Sequence, residues 1–253
     1  MKAKKHFGQH FLTSADTSER IANALGDVSK DNVLEIGPGM GILTQFVKEL
    51  SGNFKVVEID PEAAAYVQGK WPEMTIIQMD FLKLDLKQVF SGPFHIIGNF
   101  PYNISSQIVF KIIENADLVT SWVGMFQLEM GERLYAEPHS KKYGILSVLL
   151  PFYYKIQKVM VLAPGAFNPP PKVKSIVLKA ERSHYQMRCE QAMLFRVVKT
   201  AFNQRRKVLS NSLSSIISKE VLNTSQFANL RPENLSHTDF EELTLFIQEN
   251  VGN

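Results

Sequence analysis

The chain has 253 residues, 45% of them hydrophobic and 21% charged, which is enough material for one large domain or for one domain and a small appendage. A single cysteine, Cys189, and six scattered histidines exclude a disulfide framework and a multi-cysteine zinc site, so we expect no metal and a reducing, cytoplasmic location. The formal net charge of +3 argues only weakly for a polyanionic partner. Local clusters of basic residues are therefore the better indication of whether the protein binds one.

Basic side chains alternate with aromatic rings in residues 1–12. Lys4 and Lys5 are therefore candidate contacts for RNA phosphates, although lysines so near a terminus are more commonly solvated. These residues lack the apolar core of a signal peptide, and the longest apolar stretch, residues 144–154, is too short to span a bilayer. We expect a protein without a membrane partner.

A glycine-rich turn follows the first predicted strand of the sheet, residues 32–36. Gly37, Gly39 and Gly41 come directly after this strand and before a predicted helix, where the backbone can approach a nucleotide closely. The G-x-G-x-G spacing lacks the third glycine of a dinucleotide fingerprint and the Lys-Ser/Thr of a P-loop. The turn therefore argues against NAD and against a P-loop nucleotide site.

Polar residues stand at the ends of the next predicted strands. Glu58 follows strand 54–57, Asp80 follows strand 74–78, and Asn99 ends the strand after that. Glu58 lies about twenty residues past the glycines, the spacing at which a carboxylate meets ribose hydroxyls. Because the carboxyl ends of parallel strands meet at one edge of a sheet, we expect these side chains and the glycine turn to converge on one ligand. Taken singly, each acid is more commonly a helix cap or a solvated loop residue.

The last of these strands opens into Asn99-Phe100-Pro101-Tyr102. Pro101 fixes its own φ and extends Phe100, so the Asn99 amide and the Phe100 carbonyl can be aimed at one point beside the Tyr102 ring. Two acceptors and a ring suit a planar amine on an aromatic base such as adenine, because they turn the nitrogen lone pair towards an electrophile. The alternative is a loop in which Asn99 caps the next helix and Tyr102 packs in the core.

Strands that alternate with helices predict a doubly wound α/β domain over residues 1–183. Its last two strands, 153–163 and 174–180, are joined by a proline-rich connection that we expect to be stiff and unable to pair in a sheet. This connection could hold Phe167 as a platform for a flipped-out base, or as a lid over the core.

Residues 184–253 are predicted to be wholly helical and to form a second, smaller domain. Its helix 190–202 continues into Arg205-Arg206-Lys207, three cations that we expect to spread around a helix. These cations, with Lys141 and Lys142 in an earlier loop, are candidate RNA contacts, although a solvated face is a serious alternative. In the last predicted helix, Ser236 as N-cap and Asp239 three residues later form a capping box.

Six motifs together resemble the ribosomal RNA adenine dimethyltransferases, a Dim1-like family of S-adenosylmethionine-dependent methyltransferases, and the resemblance runs nearly end to end. The motifs are Lys4-Lys5-His6-Phe7-Gly8-Gln9-His10-Phe11-Leu12, Val33-Leu34-Glu35-Ile36-Gly37-Pro38-Gly39-Met40-Gly41, Gly98-Asn99-Phe100-Pro101-Tyr102, Ser140-Lys141-Lys142-Tyr143-Gly144, Phe167-Asn168-Pro169-Pro170-Pro171-Lys172-Val173-Lys174-Ser175 and Ala201-Phe202-Asn203-Gln204-Arg205-Arg206-Lys207. The resemblance implies a Rossmann-like class I methyltransferase domain followed by a small all-α domain that binds RNA.

The same resemblance implies roles for individual residues. S-adenosylmethionine would lie over the glycine turn and reach Asn99, with Glu58 on its ribose, Asp80 at its adenine, and His10 and Leu12 closing the site. Asn99 and Tyr102 would hold the target adenine and Phe167 would stack as a second platform. Two positions depart from the family: His10 stands where Asn is common, and Phe100 where Leu is common.

The implied reaction is dimethylation of two adjacent adenines in the 3′-terminal hairpin loop of 16S rRNA, within the small (30S) subunit or its precursor, late in assembly. We expect a monomer. A related resistance methylase that acts on large-subunit rRNA is a close alternative, and a DNA adenine methylase is a more distant one. An RNA-binding assembly factor with dispensable methylation is an alternative of another class.

Overall fold

The computed structural model describes Lys4 and residues 9–250, and the chain divides into two compact units. One unit comprises the chain up to Gly131 together with Lys155–Arg182, and the other comprises Glu132–Tyr154 and the chain from Ser183 onward. The sequence placed residues 132–154 in the first domain. They group with the C-terminal helices because this segment carries a strongly apolar helix that packs against two of those helices.

The first unit is built on a seven-stranded sheet and a separate two-stranded one. The strands in chain order are β1 (Phe11–Leu12), β2 (Asn32–Ile36), β3 (Asn53–Glu58), β4 (Thr75–Gln78), β5 (Phe94–Asn99), β6 (Val119–Gln127), β7 (Tyr154–Leu162), β8 (Phe167–Asn168) and β9 (Ser175–Arg182). The order in the large sheet is β4-β3-β2-β5-β6-β9-β7; neighbours among β2 to β6 are parallel, and β9 is antiparallel to β6. The predicted α/β fold is confirmed.

The strand order reverses between β2 and β5, because the chain runs outward through β3 and β4 before it returns to β5. Such a reversal leaves a crevice at the carboxyl ends of the two central strands, which is where open α/β sheets bind ligands. Ile36 pairs with Gly98 across these strands, so Gly37 and Asn99 leave the sheet side by side. The fold alone therefore brings the glycine turn next to the Asn99 motif.

Four helices follow strands of the first unit or precede its first parallel strand. They are α1 (Ala15–Asn23), α2 (Thr44–Leu50), α3 (Pro61–Lys70) and α4 (Ser105–Glu114). The Ser14 side chain caps α1 by accepting from the Thr17 N–H, and the Asp60 side chain caps α3 by accepting from the Glu62 N–H. The central strands are buried on both faces, as the fully buried Val33, Leu34, Ile96 and Ile97 show.

The proline-rich connection differs from its prediction. Phe167 and Asn168 pair with Leu12 and Phe11 as a short antiparallel ladder, and the Thr13 N–H donates to the Ala166 carbonyl at 3.1 Å. Pairing is possible because the prolines of the connection, Pro164 and residues 169–171, leave out residues 167 and 168, so Phe167 and Asn168 keep their backbone N–H donors.

The second unit is helical, and its elements are α6 (Ile145–Tyr153), α7 (Gln191–Asn203), α8 (Leu209–Ser212), α9 (Lys219–Leu222) and α10 (His237–Asn250), with α5 (Leu128–Leu134) at the boundary of the two units. The capping box at the start of α10 is confirmed: the Asp239 N–H donates to Ser236 Oγ at 3.1 Å, and the Ser236 N–H donates to Asp239 at 2.8 Å. Along the described chain, no helix is both long and apolar enough to cross a membrane.

Candidate functional site

A cavity of about 180 Å³ lies where β2, β3, β4 and β5 end. It brings together the five residues that the strand ends predicted to converge: Gly37, Gly39, Glu58, Asp80 and Asn99. The rest of its wall includes apolar groups from the same strand ends and the rings of residues 10, 11 and 102. A mostly apolar cleft with a few convergent polar groups is typical of a small-molecule or cofactor site.

The glycine turn forms one wall of the cavity with its bare backbone. Gly37, Gly39 and Gly41 all adopt positive φ, at 67°, 56° and 72°. A Cβ atom on Gly39 would lie 2.7 Å from Cε1 of Phe11, so the Phe11 ring fills the space that a side chain would take. The turn therefore requires glycine for its conformation and for the close approach of the segment above it.

If the turn holds S-adenosylmethionine, as the sequence resemblance implies, replacing Gly39 with alanine should lower the affinity for the demethylated product, S-adenosylhomocysteine, by about tenfold or more, because the positive φ is strained and Phe11 must move. Calorimetric titration measures this affinity. The matched control is Gly69→Ala, since that glycine lies within α3 and a Cβ there would meet nothing within 4 Å. Equal affinities for the two variants would show that the turn is not part of the cofactor site.

Two carboxylates, Glu58 and Asp80, line the cavity together with Asn99. Glu58 is only 5% exposed; its Oε1 accepts from the Asp60 N–H at 2.9 Å and its Oε2 from the Gly39 N–H at 3.3 Å. Burial raises the pKa of this carboxyl, against the effect of the backbone N–H groups. Asp80 accepts from the Leu82 N–H at 2.9 Å, so each carboxylate is held in place by backbone donors.

The turn after Asp80 is braced from α4. The Lys111 ammonium donates to the carbonyls of Leu82 and Leu84 at 2.9 and 2.5 Å and lies 5.4 Å from the centre of the Phe81 ring. This lysine ties the loop that carries Asp80 to the helix that follows the Asn99 motif.

The Asn99 amide has a defined orientation. Its Nδ2 donates to the backbone carbonyl of His10 at 2.6 Å, which leaves Oδ1 as a free acceptor at the cavity, where Asn99 and Pro101 both lie. Phe100 is fully buried and packs edge-on against Phe126, with ring centroids 5.3 Å apart. Phe100, which stands where the resembling family commonly has leucine, therefore anchors the motif by packing in the core.

Tyr102 presents its ring to the cavity and is fixed at its hydroxyl. The hydroxyl and Ser175 Oγ are 2.6 Å apart, and burial raises the pKa of the phenol, so the ring stays neutral at physiological pH. The His10 ring stacks on Tyr102, with centroids 5.4 Å apart and planes inclined by 26°. The His10 Nδ1 also lies 2.7 Å from the Pro169 carbonyl. His10 thus contacts the Tyr102 side of the cavity through its ring and Asn99 through its backbone.

Three predicted site residues, Leu12, Phe100 and Phe167, do not line the main cavity. Phe167 is 3% exposed and belongs to the apolar core, beside Leu12, with which it pairs across β8 and β1. Its ring is therefore a lid over the core in this structure and not a wall of the cavity. Leu12 is equally buried and lines only a smaller neighbouring cavity of about 30 Å³.

The candidate RNA contacts differ in whether their charges are already paired within the protein. Lys4 is used inside the first unit, where its ammonium lies 2.8 Å from Asp60 and 2.9 Å from Glu62, so it is not a free cation. Lys5 lies outside the described residues.

The remaining candidate contacts lie in the second unit. Arg205 donates to Glu233 and to the carbonyls of Ser140 and Lys141, so it braces the loop that carries Lys141 and Lys142. Lys142 pairs with Glu132. Among the described residues, Lys141, Arg206 and Lys207 are exposed and have no ion pair, so they are the free cations of this group.

The same region corrects one local prediction. Helix α7 ends at Asn203, and the Lys207 N–H donates to the Gln204 carbonyl at 2.8 Å. Arg205, Arg206 and Lys207 therefore lie in a turn and are not spread around a helix.

Sequence reasoning missed two buried acids next to the cavity. Glu35 is 1% exposed within β2, and burial, to which the charge of Glu58 adds, raises its pKa to about 8. Asp60 is fully buried and accepts from Lys4 and Gln9. The signal for Glu35 was an acid between apolar residues of a central strand; for Asp60 it was an acid just after Glu58 and before Pro61.

The doubly wound sheet, the glycine turn at its switch point and the acids after β3 and β4 define a class I methyltransferase, the class to which structural relatives belong. A dimethyladenosine transferase from Plasmodium falciparum has a TM-score of 0.82 at 25% identity, over 95% of this chain and 98% of that chain. The 23S rRNA methyltransferase ErmE has a TM-score of 0.67 at 25% identity, over 92% of this chain and 98% of that chain.

The chain belongs to the ribosomal RNA adenine dimethylase family, whose model matches residues 1–249, and it is an rRNA adenine methyltransferase. The ribosomal RNA small subunit methyltransferase A of Parabacteroides distasonis is 46% identical over 99% of this chain and 96% of its own length. The protein of the same name from Flavobacterium johnsoniae is 45% identical over 98% of this chain and 97% of its own length.

Proposed function

We propose that this enzyme dimethylates the exocyclic amines of two adjacent adenines in the 3′-terminal hairpin loop of 16S rRNA, with S-adenosylmethionine as methyl donor, late in small-subunit assembly. Relatives named for the small subunit match nearly the whole chain, including the second unit, and this favours the small subunit over the large one. The likeness to ErmE keeps large-subunit rRNA as the second candidate substrate.

The orientation of the Asn99 amide is the observation that carries the proposal. Because Nδ2 donates to the His10 carbonyl, Oδ1 is left as the acceptor of an amide that lines the cavity together with Pro101. Asn99 Oδ1 and the Phe100 carbonyl together accept the two N–H hydrogens of an adenine amine. Accepting both hydrogens turns the nitrogen lone pair out of the purine plane, and this orientation is the catalytic contribution of the motif.

Stacking on Tyr102 places the adenine beside these acceptors. The Tyr102 hydroxyl, bonded to Ser175, fixes the ring without adding a charge. A flipped-out base gains about 1–3 kcal/mol from stacking on one such ring. A second stacking ring from Phe167 stays a prediction, because that ring must leave the core to reach the base.

The cavity residues fit S-adenosylmethionine. Glu58 offers a fixed carboxylate for the ribose hydroxyls, Asp80 an acceptor for the adenine amine, and Gly37 and Gly39 a backbone that a ligand can approach closely. When bound, this group supplies an electrophilic methyl on a sulfonium. No side chain has to act as a strong base, because the alkylated amine is cationic and loses its proton readily.

The second unit offers a basic surface for the RNA backbone. Arg205 joins the loop that carries Lys141 to the turn that carries Arg206 and Lys207. Lys141, Arg206 and Lys207 are free to contact phosphates. Their contribution to binding is proposed as non-specific, since phosphate contacts carry no sequence information.

Transfer of labelled methyl groups to unmethylated small subunits and, in parallel, to unmethylated 23S rRNA tests this function. We expect label only in the small subunit, in the 3′-terminal hairpin. Label confined to 23S rRNA would assign the enzyme to the large subunit and contradict the proposal.

A further inference from the structure

Asp60, two residues after the cavity residue Glu58, forms the centre of a polar cluster. It is fully buried, and its Oδ1 accepts from the Lys4 ammonium at 2.8 Å while its Oδ2 accepts from the Gln9 amide at 3.2 Å. The Lys4 N–H in turn donates to Gln9 Oε1 at 2.8 Å. A buried carboxylate is stable only when it is paired and hydrogen-bonded, so Lys4 and Gln9 satisfy Asp60 and are themselves fixed by it.

Residues 9–12 continue from this cluster across the cavity. Phe11 covers Gly39, and the His10 carbonyl accepts from Asn99 Nδ2 at 2.6 Å. Lys4 together with residues 9–12, which we call the strap, is therefore held at Asp60 at one end and sets the orientation of the Asn99 amide at the other. β1, at the end of the strap, is also paired with β8.

We propose that Asp60 and Lys4 are positioning residues: their ion pair holds the strap over the cavity, and through the His10 carbonyl it keeps Asn99 Oδ1 turned towards the target amine. The inference rests on the proposed function and adds to it that an ion pair outside the cavity wall positions the catalytic amide, through Gln9 and the His10 carbonyl. It also gives Lys4 a different task from the RNA contact that the sequence suggested.

Three variants test the ion pair without removing the fold. Asp60→Asn keeps an oxygen to cap α3 and leaves the backbone N–H from which Glu58 accepts, but it removes the buried one of the two carboxylates, Asp60 and Glu62, that pair with Lys4. Lys4→Met removes the other partner, and Lys4→Arg restores a cation. The matched control is Lys30→Met, which makes the same charge change at an exposed lysine of the same unit.

We expect Asp60→Asn and Lys4→Met each to weaken S-adenosylhomocysteine binding and to lower kcat, by about tenfold in kcat/KM for S-adenosylmethionine, the size expected of one charge-assisted hydrogen bond. The double variant, which combines Asp60→Asn with Lys4→Met, should have a kcat/KM no lower than that of the less active single variant, because both changes break the same interaction. Lys4→Arg should recover activity. The thermal midpoint of Asp60→Asn should stay close to that of the control, whereas Lys4→Met leaves the buried Asp60 carboxylate without its cation and should lower the midpoint.

Three results would overturn the proposal: unchanged kcat/KM in both single variants, losses that multiply in the double variant, or a loss in Lys4→Met confined to RNA affinity with a weaker salt dependence. Binding of S-adenosylhomocysteine needs no RNA. If wild type fails to methylate any rRNA, the proposed function fails, while the binding measurements still judge the Asp60–Lys4 pair.

Discussion

Replacing Asn99 with alanine is expected to lower kcat for methyl transfer by about a hundredfold to a thousandfold, the usual loss when one preorganised polar group at a reacting centre is removed. The alanine removes the Oδ1 acceptor and the donor to the His10 carbonyl, but it leaves the carboxylates at Glu58 and Asp80. Single-turnover transfer to unmethylated small subunits measures the effect.

Binding of small subunits by the Asn99→Ala variant should stay within about threefold of wild type, because the cations proposed to contact RNA belong to the second unit. Asn23→Ala, at an exposed residue of α1 in the same unit as Asn99, is the control and should retain full turnover. Unchanged turnover in Asn99→Ala would contradict the mechanism. The same variant separates methylation from a role as an assembly factor, because it removes one and keeps the other.

Replacing Glu35 with glutamine is expected to flatten the pH dependence of stability. Burial raises the Glu35 pKa from 4.5 to about 8, and its Oε2 has no hydrogen-bond partner among the described residues. At a pH below 4.5 the Glu35 carboxyl is protonated in both the folded and the unfolded chain. As the pH rises, the unfolded chain loses the proton first, so the contribution of Glu35 to the free energy of unfolding falls by about 1.4 kcal/mol per pH unit until the folded chain also ionises.

Urea unfolding at several pH values measures this effect as the difference between wild type and Glu35→Gln. Between about pH 5 and about pH 7 the wild type should lose about 3 kcal/mol relative to the variant. Glu73→Gln, at an exposed acid of the same unit, should keep the wild-type slope. Parallel pH profiles for wild type and Glu35→Gln would show that Glu35 titrates normally.

The positions of Glu58, Asp80 and Asn99 could be predicted from the sequence because they depend on strand order alone. Parallel strands bring their carboxyl ends to one edge whatever the side chains do there. Strand lengths and the glycine spacing are local signals, so the cavity followed from them.

The task of Lys4 could not be predicted, because it depends on Asp60, a partner 56 positions away that is buried at the N-terminus of α3. The position of Phe167 has a similar cause. Its ring joins the core because β8 pairs with β1, and a two-residue ladder between distant segments leaves no periodic signal.

The grouping of residues 132–154 with the C-terminal helices was also hidden from sequence. The apolar run of α6 was visible, but its partners α7 and α10 are far along the chain. Likewise Arg205 looked like one of three equivalent cations, whereas its bonds to Glu233 and to the loop at Lys141 make it a brace.

Analysis of the modified nucleoside tests the central claim most directly. Small subunits methylated by the enzyme would be digested to nucleosides and examined by mass spectrometry against synthetic standards. The arrangement of Asn99 Oδ1, the Phe100 carbonyl and the Tyr102 ring predicts adenosine dimethylated on its exocyclic amine. Methyl groups on a ribose hydroxyl, on a ring atom of adenine or on another base would contradict it.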